Sequence, residues 1–197
     1  MGIISGQVMD KNHQPVEGAN VIVMNRDFEP IYYTLTDAEG RYSLEMPDGE
    51  YPFFLAVKDY KENFLEYWCN DIHLQGKLEL CCQIDKLEIY GINLFEVKGA
   101  APALTIYCRP MSLEKALMNA EDIAPDITEQ SLSCLVNGER CDLLMMNQVK
   151  EYTQDGPMTA YLIQISKPRN MAARNKLDII LKDIQGNIGM GSLFFSV

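Results

Sequence analysis

Residues 64–71, FLEYWCND, carry the side chains best suited to hold a ligand. Trp68 is the only tryptophan in the chain, Phe64 and Tyr67 stand beside it, and Tyr60 lies just upstream. Aromatic faces of this kind stack on sugar rings. Asn70 and Asp71, next in sequence, could bond the hydroxyls, since a binding surface needs only a few placed polar groups. The same residues have a plainer use. Tryptophan is highly buried on average, and Leu65 and Cys69 around Trp68 suit a packed anchor. The composition of the stretch ranks Trp68 as an interface anchor first and a ligand platform second.

Other chemistries find less to work with. Six cysteines, at 69, 81, 82, 108, 134 and 141, contain no C-x-x-C, and His13 and His73 lie far apart. No metal and no other cofactor is expected from that spacing. The cysteines read as scattered thiols of a sheet protein, with one informative pair. In CLVNGERC the Asn137-Gly138 centre signals a two-residue hairpin. With that turn 136 faces 139, 135 faces 140, and Cys134 faces Cys141. Such a pair, with alpha carbons about 5.5 Å apart, is within disulfide reach. It would close in an oxidising compartment and stay as two thiols in cytosol. No G-x-S-x-G is present, and GNIGMG lacks the preceding strand and following helix of a dinucleotide loop. Asp37, Glu39 and Asp155 supply too few oxygens for a calcium loop and read as solvated turn acids. His13 reads as a surface turn residue, and His73 as a strand or loop residue at the sandwich edge.

The totals limit partners. The 197 residues are enough for one large domain or two small ones. Seventeen basic against 28 acidic groups give a formal charge of -11, which repels phosphates and anionic lipid, so neither nucleic acid nor membrane is an expected partner. The excess is uneven: residues 1–84 hold 6 basic and 14 acidic groups, leaving 11 and 14 for 85–197. No apolar run is long enough to insert in a bilayer. MGIISGQV has neither a basic n-region nor an apolar h-region, so no secretory signal is expected in this chain. The protein is then cytoplasmic, or a leader has been removed.

The elements that must position these residues are strands. Short alternating runs at 3–9, 19–25, 31–36, 41–45, 51–58 and 78–84 are separated by turn chemistry in DKNHQP, DAEG and PDGE. Tyr42 and Leu44 share one face, and so should Tyr51, Phe53, Leu55 and Val57. A long strand pattern at 87–97 opens the second half. SLEKALMNA is the one helix pattern, with Ser112 as N-cap and Leu113, Ala116 and Leu117 as its apolar face. The hairpin, a strand at 159–166 and a closing pair, KLDIILKDIQGNIGMGSLFFSV, follow. The short junction near 84–88 predicts two halves held in a fixed relation.

The first half resembles a known family. SGQVMDKNHQPVEGANVIVMN and TLTDAEGRYSLEMPDGEYPFFLAV are similar to the carboxypeptidase regulatory-like domain, a small transthyretin-like β-sandwich. The matching positions are Gly6, Val8, Asp10, Pro15, Val16, Gly18, Ala19, Val21 and Val23, then Thr36, Asp37, Gly40, Tyr42, Leu44, Pro47, Gly49 and Tyr51. LELCCQIDKLEIYGI resembles the family's last strand and the exit from it. LDIILKDIQGNIGMGSLFF resembles the final hairpin of bacterial immunoglobulin-like domains. These resemblances imply an all-β protein of two tandem β-sandwiches, a carboxypeptidase regulatory-like one over 1–85 and an Ig-like one over 86–197 with one short helix.

They also imply an accessory role, because the matched residues are architectural. Enzymes of the transthyretin-like fold carry a Tyr-Arg-Gly-Ser tail, or iron ligands from two tyrosines and two histidines; this chain has FFSV and no His-x-His. Against the family pattern, KENFLEYWCNDIHLQ is an insertion, and insertions on a sheet scaffold are where binding is often added. The expectation is a non-catalytic binding or structural module of a bacterial cell-surface or polysaccharide-processing system, outside the cytoplasm, with protein or carbohydrate as partner. The alternatives are a small hydrolase on the same fold and a protein adaptor using sheet edges.

Overall fold

The computed structural model describes residues 1–99, 102–153 and 156–196. The first half supplies β1 (Gly2–Met9), β2 (Asn20–Met24), β3 (Pro30–Leu35), β4 (Arg41–Met46), β5 (Gly49–Val57), β6 (Tyr67–Leu74), β7 (Lys77–Glu79) and β8 (Cys82–Gln83). The second supplies β9 (Leu87–Phe95), β10 (Ala103–Ser112), β11 (Leu132–Val136), β12 (Glu139–Arg140), β13 (Leu143–Thr153), β14 (Gly156–Ser166), β15 (Arg174–Lys182) and β16 (Ile188–Ser196). The fold is an all-β sandwich architecture. Its one α-helix among the described residues, α1 (Leu113–Leu117), is capped by the Ser112 hydroxyl, which accepts from the Lys115 N–H at 3.4 Å. Only Leu113 of its apolar residues is buried, because a single turn cannot carry a face into a core. No helix among the described residues is long and apolar enough to cross a membrane.

The sheets hold the two halves together. One eight-stranded sheet, in the order β12-β11-β15-β16-β6-β5-β2-β3, runs through both halves. A smaller sheet, β4-β1-β7 with β8 also on β1, pairs with the first half, and β13-β14-β10-β9 belongs to the second. One core gathers Ile4, Val21, Leu44, Phe54 and Tyr67; another gathers Ile106, Cys134, Ile163, Ile179 and Leu193. The alternating runs bury one face as period-2 patterns should.

Three local features have specific causes. The expected strand at 78–84 is split into β7 and β8 because the Leu80 carbonyl turns out of the ladder to accept from the Tyr42 hydroxyl at 2.5 Å. Gly6 makes room for it: a Cβ there would stand 2.1 Å from that oxygen. The hairpin forms with Asn137 and Gly138 at φ 52° and 80°, and pairs 136 with 139 and 135 with 140, as its turn residues require. Two glycines of GNIGMG, Gly189 and Gly191, serve packing, while Gly186 takes φ 82° in the turn. A Cβ on Gly189 would lie 2.8 Å from Leu87 Cβ and one on Gly191 2.6 Å from Ile92 Cδ1, so β9 lies close over β16.

The join between the halves is β6 lying parallel to β16, with Trp68, Cys69 and Asn70 opposite Gly191, Ser192 and Leu193. Beneath it the fully buried Tyr67 hydroxyl donates to Ser192 Oγ at 2.8 Å, and Ser192 donates to Asp178 Oδ1 at 2.5 Å. The Asp85 carboxylate closes the chain junction by accepting from the Ile188 N–H at 2.9 Å, with Lys11 Nζ 3.7 Å away.

Tyr67→Phe removes one buried hydrogen bond from this join and should cost about 1–2 kcal/mol in urea denaturation. Tyr33→Phe, on a ring that is 74% exposed, should cost nothing measurable.

Candidate functional site

The stretch read as an insertion is strand β6, and its two faces have different fates. Tyr67 and Cys69 point into the first core, while Trp68, between them, points to the outer face beside Leu55 and Val57. At Pro52 and Asp71 the inward set changes parity on both neighbouring strands. Tyr51, Phe54 and Ala56 face the core, as do Tyr67, Cys69, Ile72 and Leu74. Tyr51 therefore does not share a face with Phe53, Leu55 and Val57: Pro52 has no N–H for the ladder, and Asp71 opposite takes φ 55°. This backbone exposes the Asp71 carboxylate, which a regular strand would have pointed inward.

Trp68 is 8% exposed and makes the anchor contacts. Its indole N–H donates to Glu88 Oε1 at 3.1 Å, across the join, and its ring meets Tyr90 edge-on at 5.6 Å. On the other side stand Phe28 and Phe53, stacked on each other at 4.5 Å and 9°. Both are nearly perpendicular to the indole, at 6.3 and 6.2 Å. The Arg109 guanidinium lies 4.8 Å over the Tyr90 ring, with its Nε buried and without a hydrogen-bond partner. Phe28 is 48% exposed at the tip of a turn whose Asn25 side chain accepts from the Asp27 and Glu29 N–H groups.

These aromatic rings wall a cavity of about 290 Å³ whose polar side is Asn70, Asp71 and Asn93. Asn70 is oriented by donating from Nδ2 to the Ile92 carbonyl at 3.2 Å. A larger cavity of about 390 Å³ adjoins it and shares Asp71, Ile92 and Asn93. Desolvation lifts the Asp71 carboxyl above its ordinary range against the pull of Arg26.

Of the six ligand candidates, the structure brings Trp68, Asn70 and Asp71 together at this groove. It separates the other three from it. Tyr67 faces the core because neighbours on a strand alternate, Phe64 packs on the same core from the partly buried edge, and Tyr60, bridged to Phe64, carries the Lys61 ammonium over its ring at 5.2 Å. Phe28, Phe53, Tyr90 and Asn93 were missed. A phenylalanine inside the polar turn NRDFE was the available signal for Phe28; nothing local marks Tyr90 or Asn93, which arrive from the other half. His73 stands on β6 opposite Glu50 of β5, beyond Trp68–Asn70, the stretch that pairs with β16. Cys134 and Cys141 lie across the hairpin, the Cys141 N–H donating to the Cys134 carbonyl at 2.9 Å, and both are free thiols. Asp155 lies outside the described residues.

Glu88 is the least comfortable group here. It accepts from Trp68 and, at 3.3 Å, from the Glu66 N–H, and burial, with the Glu66 charge second, pushes its carboxyl from an ordinary 4.5 up to about 8. The folded chain then holds a proton that the unfolded chain releases near pH 4.5. Stability should fall by a few kcal/mol as pH rises from about 4.5 to about 8 and level off above. Glu88→Gln, which keeps the acceptor for Trp68, should flatten that slope in pH-dependent denaturant midpoints.

Comparison with curated proteins gives no match. Solved structures similar to the chain include the major pilin subunit BcpA of Bacillus cereus, at 13% identity over 98% of this chain and 67% of that one, TM-score 0.32. A candidate carbohydrate binding protein from Bacteroides uniformis is 11% identical over 100% and 99%, TM-score 0.36. A DUF3823 family protein from Parabacteroides merdae is 13% identical over 98% of both chains, TM-score 0.32. At these identities and scores none of them says what this chain binds. The family comparison reaches further for the first half and stops just short of β6: residues 3–63 match the carboxypeptidase regulatory-like domain.

Proposed function

We propose that the chain is a non-catalytic binding module whose ligand is carbohydrate, held in the aromatic groove at the join. On this reading residues 1–85, the regulatory-like sandwich, and 86–197, the Ig-like one, act as one unit, because each contributes a wall of the groove. In a bacterial cell-surface or polysaccharide-processing system, the setting the family resemblance implies, such a module would hold a glycan chain near other machinery.

One observation carries the reading: Phe28, Phe53, Trp68 and Tyr90 converge with Asn70, Asp71 and Asn93 on one cavity. Apolar ring faces beside a few oriented amides and a carboxylate match the alternation of C–H faces and hydroxyls on a sugar, and the size is near the lower end for ligand sites. Stacking needs an accessible face, which Phe28 supplies; Trp68 backs it from below.

Titration of the full chain with neutral oligosaccharides, followed by Trp68 emission, tests this. Binding should change the emission, and Phe28→Ala should weaken it at least tenfold while leaving the fold intact, since that ring is half exposed. A signal indifferent to sugars, or to Phe28→Ala, would sink the proposal.

A sheet-edge adaptor keeps one supporting observation. β3 ends the eight-stranded sheet and turns Ile31, Tyr33 and Leu35 outward, and an apolar open edge can pair with another strand.

A further inference from the structure

We infer that the larger cavity is a second subsite of the same groove, and that the ligand is an uncharged glycan chain longer than a disaccharide, crossing between the cavities at Asp71 and Asn93. This rests on the carbohydrate reading of the aromatic cavity and extends it.

The cavities adjoin. Asp71, Ile92 and Asn93 line both, so a chain held against the aromatic wall has its next ring directed into the larger space of about 390 Å³. The left-handed backbone at Asp71 sets its carboxylate at that crossing, where it can accept hydroxyls from two successive rings. The larger cavity is the more highly charged of the two. Tyr51 and Phe194 border it from the first core, and Arg26, Glu50, His73 and Arg174 supply its polar groups. One of these polar groups is unsatisfied: His73 Nδ1 is buried and has no hydrogen-bond partner, the Glu50 carboxylate standing 3.8 Å away. A hydroxyl in this space, or a Glu50 drawn inward by one, would complete it.

Charge decides the class of glycan. Two guanidinium groups, Arg26 and Arg174, face two carboxylates, Glu50 and Asp71, and Arg174 is already turned to Glu50 at 3.4 Å. The lining has no cationic surplus to offset the chain's net charge of -11, so an acidic sugar gains nothing locally and is repelled at range. Planar guanidinium and carboxylate groups without net charge are suited instead to paired hydrogen bonds with vicinal hydroxyls.

Calorimetry on the full chain with xylo-, manno- and cello-oligosaccharides of increasing length tests both parts. In the series that binds, affinity should rise at least tenfold from the disaccharide to the tetrasaccharide. The double variant Arg26→Gln, Arg174→Gln, both on exposed or half-exposed side chains, should remove that increment and spare disaccharide affinity. A uronate oligomer should bind no tighter than its methyl ester. A plateau at the disaccharide, with binding still lost in Phe28→Ala, overturns the second subsite and leaves the aromatic site standing. An acid that outbinds its ester overturns the charge assignment. Failure of every series to bind overturns the carbohydrate reading and the inference with it.

Discussion

Everything at the groove depends on the parallel pairing of β6 with β16. Without it the first half would end at an open strand carrying Trp68, and the second would expose β16 in the same way, two unpaired edges of the kind proteins cover. Pairing them gives one continuous sheet, and Tyr67, Ser192 and Asp178 form a buried hydrogen-bonded line under it. A buried hydroxyl left unpaired is costly, so this line favours one alignment of the strands over a slipped one. The close passage of β9 over Gly189 and Gly191 fixes the second half against the same place.

The aromatic wall is a consequence of that arrangement. Once β6 is central, its alternation sends Tyr67 into the core and Trp68 to the outer face, where Glu88 and Tyr90 from the other half meet it. Trp68 is thus an anchor by its N–H and its edge contacts, and a wall of the groove by what remains of its ring. The parity change at Pro52 and Asp71 then places a carboxylate, not an apolar side chain, between the two cavities. Burying Glu88 weakens the join at high pH, since its carboxyl must be desolvated together with Glu66 nearby.

The sequence was most legible where local chemistry decides geometry. Asn137-Gly138 sets its turn and register whatever surrounds it, Ser112 caps the helix, and the strands that match the family in the first half follow from alternation and turn residues. It was least legible where long-range pairing decides. FLEYWCNDIHL reads as an aromatic insertion because the family pattern does not account for it; only pairing with a strand more than a hundred residues away makes it central. The same distance hides Tyr90 and Asn93 as partners of Trp68. The close-approach role of Gly189 and Gly191 needs β9 in place to be visible.

The central claim is that the halves form one structural unit through a shared sheet. Denaturant unfolding followed in parallel by Trp68 emission, which reports the join, and by far-ultraviolet circular dichroism, which reports all strands, tests it most directly. The account predicts a single transition with coincident midpoints. Emission that changes in a separate, earlier transition, with most of the strand signal retained, would show two sandwiches that fold independently and merely touch, and would contradict it.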